Sequence, residues 1–277
     1  MKRIRNYIVK VPTFIFVGVI IVMSVVPILW VLVSSFKLNP EILSSTFDFP
    51  TGLHIQNYVN AFRVSPIAKY YMNSFFVSIT ATVLNLVVMG MAGYVIARAS
   101  FKLKRFFRAM FSLALLVPGA ALLIPLYTTI KAVGLYDTRL GLILVYAGFG
   151  IPTTLFIVSG YFMAIPRELE ESAYIDGSGF LNTFIKIIVP LGKPAFATAG
   201  VLQFLTCWNE FQFAMTLTTG HESRTLPVAL YYFKSAFASD YGAMFAATVM
   251  ISLPSIIIYI LMQKQIVTGL TGGAVKG

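Results

Sequence analysis

Charge is scarce in this chain of 277 residues: Asp and Glu number 10, charged residues of both signs make up 11%, and 58% are hydrophobic. An ordinary soluble domain carries about 25% charged residues, so the composition excludes one and implies a membrane protein. Cysteine is nearly absent. Cys207 stands alone, which rules out an internal disulfide and any Cys-rich metal site. The two histidines, His54 and His221, lack partners at ligand spacing, so neither receives a metal or catalytic role. The phosphate-binding pattern G-x-x-x-x-G-K-[ST] occurs nowhere, so the chain carries no ATPase of that kind. With no His, Cys or carboxylate constellation suited to catalysis, a membrane enzyme is disfavoured as well.

What is abundant is apolar sequence in long runs. Crossing the hydrocarbon layer takes about 20 apolar residues in a helix, which satisfies its own backbone groups. Six stretches qualify: Val11 to Val33, Met72 to Ala97, Ala109 to Ile130, Leu140 to Met163, about Pro194 to Leu217, and Tyr241 to Gln263. All but the fifth lack Asp, Glu, Lys and Arg. That argues against an ion-coupled secondary transporter, which needs paired ionisable groups at mid-membrane. The runs are too uniformly apolar for a β-barrel. The first follows Lys2, Arg3, Arg5 and Lys10 and is too long for a signal-peptide core, so it is expected to be a retained helix.

The net charge of +11 sits between the apolar runs rather than on one soluble face, which fits membrane anchoring and not nucleic-acid binding. With both termini placed in the cytoplasm, fourteen Lys and Arg fall inside, among them Arg98, Lys102, Lys104, Arg105 and Arg108, and seven outside. The two-to-one bias supports that orientation. It also leaves a long outer segment, Ser34 to Tyr71, and a long inner one, Ala164 to Lys193.

The inner segment reads IPRELEESAYIDGSGFLNTFIKIIVPLGKP from Ile165. Pro166 suits a first helical turn, and Glu168, Glu170 and Glu171 suit the positive end of a helix dipole. Leu169 and Ala173, four apart, give that helix an apolar face. Gly177 after Asp176 predicts a left-handed helix end, and Pro190 and Pro194 predict where the next segment stops. Helix, turn, helix is expected, lying outside the membrane. By itself such a loop could equally be an amphipathic connector on the bilayer surface.

Its spacing adds more. Glu171-Ser172-Ala173, three residues, Gly177, nine residues, Ile187, one residue, Val189-Pro190 resembles the EAA motif of bacterial ABC importer permeases, departing from it at Ser172 for Ala and Val189 for Leu. The resemblance implies a coupling helix that docks in a separate nucleotide-binding subunit. Glu171 would be the charged contact, Ala173 the close-approach surface and Gly177 the turn, shaped by Asp176. Three further stretches are similar to the carbohydrate-uptake branch, in particular the maltose-type second permease subunit: Asn73-Ser74, Trp208-Asn209-Glu210-Phe211, and the tail Gly269 to Gly277. In that branch the tail reaches toward the ATPase interface; by composition it is a flexible glycine-rich end.

Glu210 is the one carboxylate in a span, near its outer end, with Trp208 as an interfacial anchor. Two readings stand. Glu210 either reaches outer water or a basic partner, or lines a translocation path with Asn209 and Gln212. Pro118, Pro125, Pro152 and Pro254 lie inside spans, where proline bends a helix, as packing features or as points that let the bundle rock.

The expectation is therefore an all-α membrane protein with six transmembrane helices, both termini cytoplasmic, and the type I ABC importer permease fold. Residues 1–71 would hold the first helix and outer loop, 72–264 the core with the coupling loop at 165–193, and 265–277 a cytoplasmic tail. The resemblance implies a permease of a binding-protein-dependent sugar importer in a bacterial plasma membrane. It also implies partners: a second homologous permease, two ATPase subunits that use ATP and Mg, and an extracytoplasmic sugar-binding protein. This chain would bind no cofactor or metal. A non-sugar solute is the alternative cargo.

Overall fold

The computed structural model describes residues 2–44, 48–64, 66–229, 231 and 240–272. Its regular structure is helical: α1 (Lys2–Ser34), α2 (Asn39–Ser44), α3 (Gln56–Val64), α4 (Ile67–Arg98), α5 (Lys104–Ala114), α6 (Leu123–Ala132), α7 (Arg139–Phe149), α8 (Ile151–Ala164), α9 (Glu168–Ile175), α10 (Phe180–Thr183), α11 (Val189–Leu191), α12 (Lys193–Asn209), α13 (Gln212–Leu217) and α14 (Tyr241–Gly272). A short 3-10 turn, Gly119–Leu122, precedes α6, and a π-helical turn, Phe184–Ile188, joins α10 to α11. Residues 269–272 of the tail are helical, and 273–277 lie outside the described residues.

Among the described residues, three unbroken helical stretches are long and apolar enough to cross a membrane, Pro12–Ser34, Ile67–Arg98 and Tyr241–Leu261. The other three expected spans fall in bent pairs: α5 with Gly119–Ala132 at 101°, α7 with α8 at 46°, and α12, which stands where the fifth was expected, with Phe180–Leu191 of the inner loop at 76°. Six crossings result when each pair counts as one. The fifth expected span ends at Asn209 rather than Leu217, because the chain turns extended at Glu210 before α13 begins.

Proline alone does not set the breaks. Pro12 and Pro27 lie inside α1 and Pro254 inside α14, all within continuous helix. Pro118, Pro152 and Pro194 stand at breaks, and each has a glycine within two residues, Gly119, Gly150 or Gly192. A missing N–H frees a carbonyl, and glycine lets backbone or side chains close on the bend. Pro190 therefore does not stop its segment as expected. It sits in the first turn of α11, where its missing N–H costs little, and the chain bends after it at Gly192.

The chain forms two compact units. One comprises Met1–Ile67 and Leu230–Leu253. Within it Asn57 Nδ2 donates to the carbonyls of Ser35 and Lys37, both at 2.9 Å, Asn39 Oδ1 accepts from Gly242 N at 3.1 Å, and Trp30 meets Phe245 edge-on at 5.1 Å. Most of α1 is exposed, with Phe14 and Met23 more than 70% so. The second unit, Ala68–Ala229 with Pro254–Gly277, holds every residue assigned a site role above. One core cluster there gathers Tyr94, Ala97, Val158, Phe162, Ile165, Phe184, Ile188 and Ala199 from α4, α8, the π-turn and α12.

Candidate functional site

The inner loop folds as helix, turn, helix. Helix α9 ends in a Schellman arrangement: Gly177 N donates to Tyr174 O at 3.1 Å and Ser178 N to Ala173 O at 2.8 Å, with Gly177 at φ +82°. Asp176 is the residue before that turn, its N–H bonded to Ser172 O at 3.0 Å. Glu171, Ser172, Asp176 and Gly177 are exposed, while Ala173 is buried. Ser172 Oγ donates back to Glu168 O at 2.8 Å, so this departure from the motif leaves the helix intact. Ile187 is half-buried in the π-turn, Pro190 is exposed, and the neighbouring Ile188 is fully buried.

The buried face of α9 differs from the expected one. Leu169 is 43% exposed, whereas Glu170 is buried beside Ala173. Glu170 Oε1 forms an ion pair with Arg98 Nε, both side chains less than 10% exposed, and its Oε2 accepts from Tyr94 Oη at 2.8 Å. The same guanidinium donates through NH2 to Ile165 O at 2.6 Å. Reading the first-turn acids as interchangeable dipole partners misses this pair. The signal is a basic residue closing α4, one residue beyond an uncharged span.

Outward from α9 an apolar surface is left open: Ile175 is 86% exposed, and Leu181 and Ile185 are exposed as well. Ile175 follows Glu171 by four residues, on the same face of α9, and both are exposed.

Near the other end of the unit the WNEF stretch makes a joint. Trp208 is buried against Phe75 at 4.6 Å, Phe204 at 5.8 Å and Tyr71 at 6.0 Å, so it does not serve as the expected interfacial anchor. Glu210 turns inward: its carboxylate accepts from Tyr146 Oη at 2.7 Å and from Phe213 N and Ala214 N at 2.8 and 3.0 Å. It supplies acceptors for the first N–H groups of α13, as a capping carboxylate does. Asn209 and Gln212 are exposed on either side. Glu210→Ala is expected to destabilise the unit by about 1–3 kcal/mol, since it strands the Tyr146 hydroxyl and two N–H groups. Thermal unfolding of the detergent-solubilised protein checks this, and an unshifted melting temperature would contradict it.

Asn73, Asn85 and Gln203 are buried and each donates through its amide nitrogen to a backbone carbonyl: Asn73 to Arg224 O at 2.9 Å, Asn85 to Ala147 O at 2.8 Å, and Gln203 to Tyr146 O at 2.9 Å. The last two grip the final turn of α7 from opposite neighbours, just before the Gly150 bend. A second carboxylate, Asp137 at φ +57°, ties the segment after α13. It accepts from Thr219 N and Oγ1 at 2.8 Å, from Gly220 N at 3.0 Å and from Ser223 Oγ.

Partial burial pushes the Asp137 carboxyl up, but these donors outweigh it and leave its pKa at about 2. A carboxyl depressed from about 3.9 contributes its full stabilisation above that value and loses it as pH falls toward 2. The protection factors of the Thr219 to Ser223 amides are therefore expected to hold constant from about pH 8 to 5 and to fall below about 4. In Asp137→Ala they should be low throughout; equal protection in the variant would contradict the anchor.

Among the described residues no group of three or more His, Cys, Asp or Glu could hold a metal ion.

Residues 89–267 match the family model described as binding-protein-dependent transport system inner membrane component. The chain is 35% identical over 257 residues to a diacetylchitobiose uptake system permease protein of Streptomyces coelicolor, covering 92% of this chain and 85% of the relative. It is 34% identical over 256 residues to a trehalose transport system permease protein of Mycobacterium tuberculosis, covering 92% and 93%. In fold it is similar to a chain of a bacterial ABC transporter involved in the import of the acidic polysaccharide alginate, at 23% identity and a TM-score of 0.82, covering 94% of this chain and 97% of that one. The chain thus belongs to the family of inner membrane components of binding-protein-dependent transport systems.

Proposed function

We propose that this chain is a permease subunit of an ATP-driven sugar importer, coupled to a separate ATPase through α9. The observation that carries the coupling role is the loop itself: Glu171 and Ser172 exposed, Ala173 packed inward, and Gly177 in the left-handed turn that lets the chain reverse beneath an open apolar surface. A charged contact flanked by uncovered Ile175, Leu181 and Ile185 suits the cleft of a nucleotide-binding subunit. In this reading the α9 end and both termini face the cytoplasm of a bacterial plasma membrane. A second homologous permease completes the path, two ATPase subunits use ATP and Mg, and an extracytoplasmic binding protein delivers the cargo.

Sugar as cargo is supported by the diacetylchitobiose and trehalose uptake named for two relatives. Gln212 offers an exposed amide to sugar hydroxyls. Asn209 is exposed too, with its Nδ2 donating to Leu205 O at 2.9 Å and its Oδ1 accepting from Ser255 Oγ at 3.1 Å, so it would meet sugar through its remaining proton and lone pair. Glu210 sets the turn that presents both. Residues 72–264 form the permease core, with the 265–277 tail on the ATPase side. ATP-driven uptake measured with the reconstituted complex across mono- and oligosaccharides tests the cargo. Transport of at least one neutral oligosaccharide is expected; transport confined to amino acids or ions would overturn it.

A further inference from the structure

Consecutive carboxylates on α9 point in opposite directions. Glu171 is exposed, while Glu170 is 5% exposed and bound to Arg98 and Tyr94. Arg98 is the last residue of α4, and its guanidinium also holds the carbonyl of Ile165, where α8 leads into the loop. Tyr94, one turn earlier, packs on the outgoing arm with ring centroids 4.6 Å from Phe180 and 5.0 Å from Phe184, and meets Phe162 of the incoming α8 edge-on at 6.3 Å. One turn of α4 thereby grips both arms of the loop.

A buried ion pair is weak evidence for stability, because well-packed apolar replacements are often as stable, and its best-attested use is to fix one geometry among several. An apolar contact slides. A guanidinium that is ion-paired with a buried carboxylate while its NH2 donates to a carbonyl does not, since the planar group couples the two contacts.

We infer that the Arg98–Glu170 pair, with Tyr94, is the strut through which movement of α9 reaches the membrane-spanning helix α4. These are positioning residues, and the inference rests on α9 being the coupling helix. Displacement at Glu171 by the ATPase is carried to its neighbour Glu170, and through the ion-paired guanidinium of Arg98 to both α4 and the α8 end. Loss of the strut leaves docking in place but lets α9 move without the bundle.

The test uses the whole complex in proteoliposomes, with binding protein and enclosed ATP, and reads sugar transported per ATP hydrolysed together with thermal stability. The double variant Arg98→Met/Glu170→Met, which replaces the ion pair by apolar chains but leaves the Tyr94 hydroxyl and the Ile165 carbonyl without these partners, is expected to assemble with a modestly lowered melting temperature and to transport about tenfold less sugar per ATP. Tyr94→Phe, which keeps the ring stack, should lower the ratio a few-fold, and the swapped pair Arg98→Glu/Glu170→Arg should recover part of it. If the double variant fails to assemble, the other two variants decide. Unchanged ratios, or uptake and hydrolysis falling in parallel, would overturn the strut. Failure of the coupling reading itself shows separately, as wild-type complex without ATP-driven uptake.

Discussion

Gly177→Trp is expected to reduce ATP-driven uptake to background while the permease still reaches the membrane. Gly177 has φ +82°, and a Cβ built there meets nothing within 4 Å. The strain of an L-residue in that region is only about 1–2 kcal/mol, too little to unfold the chain. The damage comes from an indole projecting beside Glu171 and Ile175 on the surface assigned to the ATPase. Gly177→Asn separates the causes, because asparagine tolerates the left-handed region without much bulk and should retain most uptake. Glu171→Lys should act like the tryptophan by reversing the charge of the contact. Co-purification of the ATPase subunits distinguishes lost docking from lost folding, and normal uptake with normal co-purification would refute the assignment.

The second large effect is expected at the bend between α7 and α8. A Cβ at Gly150 would lie 2.0 Å from Gln203 Oε1 and 2.4 Å from its Cδ. Gln203 is not a loose surface chain that can move aside: it is 5% exposed and donates to Tyr146 O and to Cys207 Sγ. Gly150→Ala should therefore cost about 2–5 kcal/mol, combining overpacking with a buried amide driven off its acceptor. Gln203→Ala in the same chain removes the obstructing group, so the double variant should melt above Gly150→Ala alone, a coupling that a double-mutant cycle reads directly. Additive losses would mean the contact does not hold the bend.

The two sites differ in how far they could be read in advance. Hydropathy finds the six apolar stretches because lipid leaves the backbone few alternatives, and the fixed gaps from Glu171 to Pro190 single out α9 and its turn. Gly177 at positive φ is the expected helix end. Direction within the loop is another matter. Glu168, Glu170 and Glu171 look alike in a first turn, and only Arg98, 72 residues before Glu170 in sequence, decides that Glu170 turns inward.

Trp208 shows the same limit, since an indole near a span end suits the interface equally well, and Phe75 and Tyr71 on α4 bury it. Glu210 belongs with it. A carboxylate in an apolar run signals function or a partner, and its partners are Tyr146 and the start of α13. The broken spans were half visible: proline marks many positions, but a proline with glycine beside it marks the ones that bend.

In this permease α9 would convert hydrolysis on a partner into movement of sugar through the chain. The most direct measurement is uptake of labelled sugar by proteoliposomes holding the complete complex, with ATP or a non-hydrolysable analogue enclosed, for wild type and Glu171→Lys. Vanadate-sensitive uptake that requires both hydrolysable ATP and binding protein, and that disappears in Glu171→Lys, is the expected result. Uptake that persists with the analogue under an ion gradient, or that is unaltered in Glu171→Lys, would contradict it.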